Sequence, residues 1–307
     1  MLSRVTQQIV TTQIIMQIQR HTSKLYRQYK NISSGVHITR PSDNISKYNL
    51  ITYYKMQNKY MSSLLENINN VSNTLDYIVV SLQDINAILT RASQISSIAI
   101  DTTLDTSTYR ALSEEVDIMI RNVLNIFNRK LYDTYLFAGE SLTIPPFVIS
   151  SYDSYGRIAG ISYSASPGDS NVKIVNELTI PLYYSGSKIE GNNGLGIFQT
   201  LIDLRNALST YAPQRMQLLD TIMFNLESLR EHLAGFIGSI SSHLSNLRSL
   251  TERYDKFLNM HQSMLSDLES TDYINAIVEM NESQYLLQAS MAITARYFSY
   301  SFLDYIV

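Results

Sequence analysis

The feature that most constrains this chain is a heptad pattern that runs from Leu50 to Ala99. Its positions, at alternating steps of four and three, are Leu50, Tyr54, Gln57, Met61, Leu64, Ile68, Val71, Leu75, Ile78, Leu82, Ile85, Leu89, Ala92, Ser96 and Ala99. No Pro or Gly lies between Ser42 and Gly139 to break a helix. Because a 3.5-residue repeat drifts around a 3.6-residue helix, it requires a supercoiling partner. A helix of about 75 Å predicts an elongated rod, and rods are usually structural.

Glycine and proline divide the sequence into three parts. Eight of the 11 Gly and four of the 6 Pro fall between Gly139 and Gly196, and the flanks are nearly free of both. We therefore predict a mainly α fold, an antiparallel helical rod or coiled coil with a small antiparallel β domain inserted at its tip. The predicted division assigns 1–40 and 268–307 to terminal helices, 41–140 and 192–267 to the rod, and 141–191 to the β insertion.

The insertion alternates strand and turn signals. An apolar run begins at Phe147, turns are indicated at residues 153–156 and 167–169, and a last strand covers residues 178–184, with Pro181 at an edge. This pattern predicts one small antiparallel sheet. Its tyrosines would suit carbohydrate binding, but tyrosine also has a high strand propensity, so both interpretations stay open.

Further heptad patterns flank the insertion. Residues 112–126 predict a second, antiparallel helix. After a flexible return at 191–196, helices are predicted at 197–208 and 219–258, with a pause at Pro213 between them.

The last of these helices contains an irregularity. Two steps of four around Leu233 form a stutter, which unwinds a supercoil locally. Gly235 and Gly238 lie nearby, and their lack of a side chain would permit a close approach between two helices at this point.

The two ends of the chain carry opposite charge. Up to Ser42 there are six basic residues and no acid, whereas from Asp267 onward there are six acids and one base. A basic arm could bind DNA, but aromatic or Gly-rich interleaving is missing. We predict instead that the ends pack together; the alternative is that each is a solvated helix face. The C-terminal seam is Ile277, Met280, Gln284, Leu287, Met291, Thr294, Phe298, Ser301 and Tyr305.

The segment Ser33–Asn44 interrupts the helices. Gly35 suits a left-handed helix cap, Pro41 disfavours helix at the residue before it, and Ser42 or Asp43 is predicted to cap the next helix. The segment resembles the motif S-[ST]-G-x-x-[IV]-x-x-[PA]-[SK]-D-[DN] of bacterial flagellins and flagellar hook-associated proteins. The matching residues are Ser33, Ser34, Gly35, Ile38, Pro41, Ser42, Asp43 and Asn44. The chain departs from the commoner pattern at Asn44, usually Asp, and at Ile45, often Pro or Ala.

A second motif lies at the end of the first helical part. Tyr135-Leu136-Phe137-Ala138-Gly139, followed by Pro146-Phe147, resembles the R-Y-x-F-A-G and P-F of the junction-protein branch of this family, hook-associated protein 3. Flagellins have N-x-T-x-F-N-G at the corresponding place. Phe137, Ala138 and Gly139 therefore favour the junction branch over the flagellins.

A third motif precedes the C-terminal helix. Asp267, Leu268, Glu269, Asp272 and Tyr273 resemble the family pattern S-x-[IL]-E-D-x-D-Y, and residues 287–290 resemble its L-Q-A-S. The three motifs agree in order and spacing, and the resemblance covers residues 1–139 and 195–307.

The resemblance implies a structural component of the bacterial flagellum, the junction ring between hook and filament on which flagellin polymerises. It implies export without a cleaved signal peptide and an extracellular location on the flagellum. The implied partners are identical subunits in a ring, the adjoining hook-associated protein and flagellin, with an export chaperone as a further candidate.

The residues suggest how such a subunit would assemble. The terminal segments are polar enough to be marginal as isolated helices, so we expect them to be mobile in the monomer and to order between subunits. The contacts are expected to be heterologous. Ile277, Leu287, Met291 and Phe298 are expected to matter for assembly, and the β domain to be dispensable for it.

No motif of an active site was found. The five His lack metal-ligand spacing, and phosphate-loop and nucleophile-elbow motifs are missing. The chain has no Cys, which excludes disulfides, thiolate metal sites and Cys nucleophiles. Its net charge of −3 disfavours nucleic-acid or membrane binding, and no apolar run is long enough to span a membrane. We therefore expect no enzyme activity, no cofactor, no metal, no nucleic acid and no membrane partner.

Three alternatives remain. A flagellin-type filament subunit would have the same rod. A secreted coiled-coil effector or needle-tip protein would also have long helices and no Cys, but it should not carry both the Ser33–Asn44 and Asp267–Tyr273 motifs. An enzyme hidden in the insertion would show a pocket with convergent polar groups.

Overall fold

A computed structural model describes residues 2–100, 105–175, 178–191, 196–210 and 212–306, with side chains except at 2–7, 175, 212–213 and 297–306. The fold is mainly α-helical with small antiparallel sheets, as predicted. The helices are α1 (Leu2–Ser34), α2 (Ile45–Ala99), α3 (Thr106–Phe127), α4 (Gly186–Glu190), α5 (Ile197–Leu208), α6 (Ala212–Glu269) and α7 (Tyr273–Ile306). The strands are β1 (Lys130–Leu131), β2 (Thr134–Tyr135), β3 (Phe147–Tyr152), β4 (Ile158–Tyr163), β5 (Ser170–Val175) and β6 (Leu178–Tyr183).

Contacts within the chain define two compact units. Residues 1–61 and 256–307 form one, called here the terminal unit, and residues 62–255 form the other, the central unit. Both α2 and α6 contribute residues to each unit. The three-part division of the sequence stays a prediction, because contacts inside one chain do not test roles in an assembly.

The central unit is built on the predicted heptad seams. Every seam position of α2 from Leu64 to Ala99 is buried, including Ser96, whose hydroxyl donates to the carbonyl of Ala92 at 3.0 Å. The seam of α6 is buried at Leu219, Ile222, Leu226, Leu229, Leu233, Ile240, Leu244 and Leu247. The apolar faces of α3 and α5 join the same core. The heptad prediction is confirmed for this unit.

An aromatic cluster fastens the insertion to the helices. Phe127, the last residue of α3, is surrounded by Phe137, Phe147 and Phe198, with ring centroids at 5.4, 4.8 and 5.6 Å. These partners come from the segment after β2, from β3 and from α5. The insertion and the helices therefore share one core.

The prediction of one sheet in the insertion is wrong. Strands β3 and β4 form one antiparallel hairpin and β5 and β6 another, and each is a separate two-stranded sheet in the part of the chain that the structure describes. A third hairpin, β1–β2, precedes them. Both longer hairpins have register shifts, and such irregularities bend and twist a strand pair. Each hairpin buries an isoleucine, Ile158 or Ile180, in the common core, so its apolar face is covered without a neighbouring strand.

A buried arginine joins three elements of the central unit. Arg205 of α5 is 1% exposed; it pairs with Asp117 of α3 at 2.9 Å and donates to the carbonyl oxygen of Ile158 in β4 at 2.7 Å. A charge buried in this way depends on its partner, because an unpaired buried charge is strongly destabilising. The sequence analysis missed this residue.

The terminal unit confirms that the two ends of the chain pack together. Cα atoms of α1 and α7 approach within 8 Å of one another. A small separate core forms where the start of α2 meets the end of α6, from Ile38, Ile51 and Leu265. Here the predicted seam begins one residue too early, since Ile51 is 3% exposed and Leu50 47%.

The helical interruption predicted near Pro213 is present, because α5 ends at Leu208 and α6 begins at Ala212; Pro213 itself lies in the first turn of α6, where a proline is tolerated. Gly235 and Gly238 are exposed, and a Cβ atom on either would meet nothing within 4 Å, so the described chain makes no use of the close approach that these glycines would permit. Of the predicted return at 191–196, residues 192–195 lie outside the described residues.

Among the described helices, none is both long and apolar enough to cross a membrane.

Candidate assembly surfaces

The structure brings the first and third sequence motifs together within the terminal unit. Gly35 ends α1 with a φ of +70°, and its carbonyl oxygen accepts from the N–H of Thr271 at 3.0 Å. Val36 forms an antiparallel bridge with Ser270, and the N–H of His37 donates to the carbonyl oxygen of Glu269 at 2.8 Å. Two motifs more than 220 residues apart thus form one backbone-bonded junction.

Asp43 organises the loop between α1 and α2. Its carboxylate accepts from the N–H groups of Thr39 and Arg40, both at 3.1 Å, and pairs with Arg27 of α1 at 2.6 Å. Desolvation acts to raise the pKa of Asp43, but the donated N–H groups and the positive charge of Arg27 outweigh it and hold that pKa below its usual value. The loop is therefore tied to α1 through a charged carboxylate.

The predicted cap of α2 is wrong by one or two residues. The side chain of Asn44 accepts from the N–H of Lys47 at 3.0 Å and caps the helix. The Asp43 carboxylate instead accepts hydrogen bonds within the preceding loop. Ser33, Pro41 and Ser42 lie exposed. Their assembly roles stay predictions.

The start of α7 uses the third motif. The Asp272 side chain accepts from the N–H of Asn275 at 3.1 Å and caps the helix. Leu268 packs against the small core that contains Ile38. A Cβ atom on Gly35 would lie 2.9 Å from the hydroxyl oxygen of Tyr273, a half-exposed side chain that can move, so glycine is favoured there by its positive φ.

The second motif lies inside the central unit. Phe137 and Ala138 are fully buried, and Ala138 forms a bridge with Ser185. Gly139 has a φ of +59°, and a Cβ atom there would lie 2.1 Å from the carbonyl oxygen of Gly168. These three residues hold the hairpins to the helical core, so any part they play in assembly is through the fold of this unit.

The most deeply buried positions between α1 and α7 carry small or polar side chains. Ala276 and Ser283 of α7 are buried there, together with Gln28 and Asn31 of α1. The Gln28 amide donates to the carboxylate of Glu279. Small side chains allow two helix backbones to approach closely, but they remove little apolar surface from water.

The predicted seam of α7 is only partly correct. Met280, Leu287 and Thr294 are partly buried. Ile277 and Met291 are instead 44% and 52% exposed. Phe298 lies outside the residues whose side chains the structure describes. In the described part of α7 the buried face follows Ala276, Met280, Ser283, Leu287, Ser290 and Thr294, because the helix turns its small residues toward α1.

The opposite face of α7 is apolar and exposed. Ile274, Val278 and Tyr285 are 78%, 60% and 72% exposed, and their spacing of four and seven places them on one side of the helix. We call these three residues the α7 stripe. Further along α7, near Ser290 and Ile293, α1 and α7 form an open groove of about 500 Å³ with a mixed apolar and polar lining. Large exposed apolar surfaces of this kind mark interaction sites.

Catalytic and metal chemistry has little support in the described residues. No group of three His, Cys, Asp or Glu residues is placed to hold a metal ion in that part of the chain. The one carboxyl with a strongly raised pKa, among those that the structure describes, is Glu190, where burial raises it to about 7 against the donated N–H of Phe198. This carboxyl lies beside Gly196 at the start of α5, so we interpret it as part of the packing of the fold and not as a catalytic group.

Two features of these surfaces were missed by sequence reasoning. The small residues Ala276 and Ser283 gave no hydrophobic signal, although their spacing of seven marks a helix face. The α7 stripe was overlooked because the seam was assigned to a neighbouring face.

Comparison with known proteins identifies the fold. A flagellar hook-associated protein from Vibrio parahaemolyticus superimposes with a TM-score of 0.66 and 14% identity, covering 74% of this chain and all of the other. Hook-associated protein 3 of Legionella pneumophila gives 0.60 and 12%, covering 71% and 98%. FlgL of Bacillus cereus gives 0.55 and 19%, covering 72% and 99%. The chain therefore has the flagellin-like fold of these hook-associated proteins, and about a quarter of it extends beyond each aligned part.

Sequence comparison alone gives a shorter match. A flagellin of Salmonella typhimurium is 27% identical over 113 residues, which are 37% of this chain and 21% of that flagellin. The match thus spans about a fifth of the length of this curated relative. No protein-family model matches the chain.

Proposed function

We propose that this chain is a structural subunit of the bacterial flagellum and that it forms the junction ring between hook and filament, on which flagellin polymerises. The observation that carries the proposal is the shared fold, which includes nearly the whole length of three solved hook-associated proteins. The Phe137-Ala138-Gly139 form of the second motif favours the junction protein over the filament flagellin.

The terminal unit supplies a physical mechanism for assembly. The α1–α7 pair buries small and polar side chains and exposes the α7 stripe, so a single chain leaves its apolar surface uncovered. Packing against other subunits would remove that surface from water, at roughly 25 cal/mol per Å². The contacts would be heterologous, with identical subunits in the ring and with the adjoining hook-associated protein and flagellin on either side.

The proposal includes a location and excludes catalysis. The subunit would act outside the cell after export without a cleaved signal peptide, and an export chaperone is a further candidate partner. We propose no enzymatic activity for it, since the solved proteins that share its fold are named as flagellar hook-associated proteins.

The insertion has a larger part in folding than the sequence suggests. Phe147 of β3 and Phe127 of α3 share one cluster, so deleting residues 141–191 would uncover the core. The expectation that the β domain is dispensable for assembly is therefore best tested with substitutions on its exposed surface.

Deletion of the gene in its own organism tests the proposal. We expect hooks without filaments in electron micrographs and flagellin lost to the medium, with wild-type chain restoring filaments. A variant with Ile274→Glu and Val278→Glu should fail to restore them, whereas Ile274→Leu with Val278→Ile should succeed. Filaments of normal length in the deletion strain would contradict the proposal. Loss of both filaments and secreted flagellin would favour a filament subunit.

A further inference from the structure

A second exposed apolar surface lies on the part of α2 that belongs to the terminal unit. Ile45, Tyr53, Met56 and Tyr60 are all exposed, and their spacing of eight, three and four places them on one side of the helix. This side is opposite Ile51, which is buried in the small core. We call these four residues the α2 stripe.

The charges around the α2 stripe are all positive. Between Asn44 and Leu65 the chain has three lysines and no acid. Lys55 is used within the chain, where it pairs with Glu269 at 2.5 Å. Lys47 and Lys59 form no ion pair with any residue that the structure describes. Lys59, one residue before Tyr60, therefore places an available positive charge beside the stripe, whereas Lys47, four residues before Ile51, lies on the other side of the helix.

The charges around the α7 stripe are negative and thus opposite to those around the α2 stripe. From Asp272 to Tyr285 the chain contains three acids and no base. Glu279 is used by Gln28, and Glu282 forms no ion pair within the described chain. The two stripes are also similar in length, about 16 Å and 22 Å at 1.5 Å per residue.

Neither stripe covers the other within one chain, because both are exposed in the single molecule. We infer that the α7 stripe of one copy packs on the α2 stripe of a second copy, with Glu282 facing Lys59. This inference rests on the proposed function and names the faces through which identical subunits meet. Tyr and Met side chains suit such a contact, since they give large adaptable surfaces. Because the two faces differ, each added copy leaves one stripe free for the next.

Cysteine cross-linking tests the pairing directly, because the chain has no Cys of its own. Full-length Tyr53→Cys and Val278→Cys variants are purified separately, mixed and oxidised. We expect a covalent dimer that requires both variants. The matched control pairs Ser62→Cys with Gln284→Cys, which are exposed on the same helices but off the stripes, and it should cross-link several-fold less.

Charge reversal gives an independent readout. Lys59→Glu and Glu282→Lys should each weaken self-association, by about two- to tenfold in sedimentation velocity, and the double variant should recover it. Cross-linking at the stripes no faster than at the control positions, in copies that do associate, would overturn the inference. A wild-type chain that stays monomeric at every concentration would overturn it too. Either result leaves the proposed function to be judged by the deletion strain.

Discussion

The central unit and the α1–α7 pair use the same element, a long helix with a repeating face, but they bury different side chains. In the central unit the buried face of α2 is made of residues such as Leu75, Ile78 and Leu82, none of which is exposed. In the terminal pair the fully buried positions include Ser283 and Gln28; Ile14, Leu25 and Leu287 are only half-buried, and the α7 stripe is exposed. The central unit buries its apolar helix face within the single chain, whereas the terminal pair leaves apolar side chains exposed.

The difference shows which region still has apolar surface to bury when subunits assemble. Burial of a Leu or Ile side chain contributes about 1.5–3 kcal/mol, whereas a buried Ser or Ala adds little. A pair of helices that fully buries no large apolar side chain between its members is marginal in water. We therefore interpret the terminal pair as a region whose stability is supplied by neighbouring subunits, and the central unit as the part that folds without them.

The largest effect is expected in the aromatic cluster of the central unit. Phe137→Ala would remove a fully buried ring that packs on Phe127, and we expect it to lower the free energy of unfolding by about 4 kcal/mol. Urea unfolding followed by circular dichroism measures this. Tyr132→Ala, at an exposed site, should change stability by less than about 0.5 kcal/mol. Similar losses for both variants would contradict the description of this core.

Gly139 provides a sharper test of the same unit. Gly139→Ala would add a Cβ atom that collides with the backbone of Gly168, so we expect a loss of about 3 kcal/mol. Gly156 also has a positive φ, +75°, but has open space around it. Gly156→Ala should therefore cost only about 1 kcal/mol. Equal costs would show that the close approach at Gly139 is absent.

Glu190 makes the stability of the central unit depend on pH. Its pKa is raised to about 7 in the folded chain from an ordinary 4.5, so between these values the folded state holds a proton that the unfolded state has released. The free energy of unfolding should fall as pH rises from about 4.5 to 7, by about 2 kcal/mol. Glu190→Gln should remove this slope, while Glu227→Gln, at an exposed site, should retain it. Thermal melts at several pH values measure both, and an unchanged slope in Glu190→Gln would contradict the assignment.

A substitution at a buried polar position between α1 and α7 should have a smaller effect on stability. Gln28→Ala removes the donor to Glu279, and we expect a loss of about 1 kcal/mol confined to α1 and α7. Amide hydrogen exchange on the assembled protein can locate the change, with Gln19→Ala, at an exposed site of α1, as the control. A loss of protection in the central unit would show that the two regions are not separable in this way.

The smallest effect should have the opposite sign. Gly235→Ala adds a methyl group in open space on the exposed side of α6, so we expect a gain of about 0.5–1 kcal/mol from helix propensity. Gly238→Ala should behave alike. A loss of stability in urea unfolding would mean that another segment of the chain approaches these glycines after all.

The predictions from the sequence were best where side chains are large and apolar. The α2 seam and the packing of α1 on α7 follow from heptad spacing and charge, which act over many residues. The register of α7 was wrong because Ala276 and Ser283 carry little hydrophobic signal, while Ile277 and Met291 suggested the neighbouring face.

Other parts depend on contacts that are distant in sequence. Nothing near Arg205 shows that Asp117 lies beside it, 88 residues away. The meeting of the first and third motifs also needed the structure, since hydrogen bonds such as that from His37 to Glu269 join opposite ends of the chain. The two separate hairpins could not be distinguished from one sheet, because the sequence gives strands and turns but not which strands pair.

Amide hydrogen exchange on the monomer and on the assembled protein tests the central claim most directly. We predict rapid exchange at residues 8–34 and 273–296 in the monomer, slow exchange at residues 64–99, and strong protection of both terminal helices after assembly. Terminal helices as well protected in the isolated chain as the middle of α2, with no gain on assembly, would contradict the account.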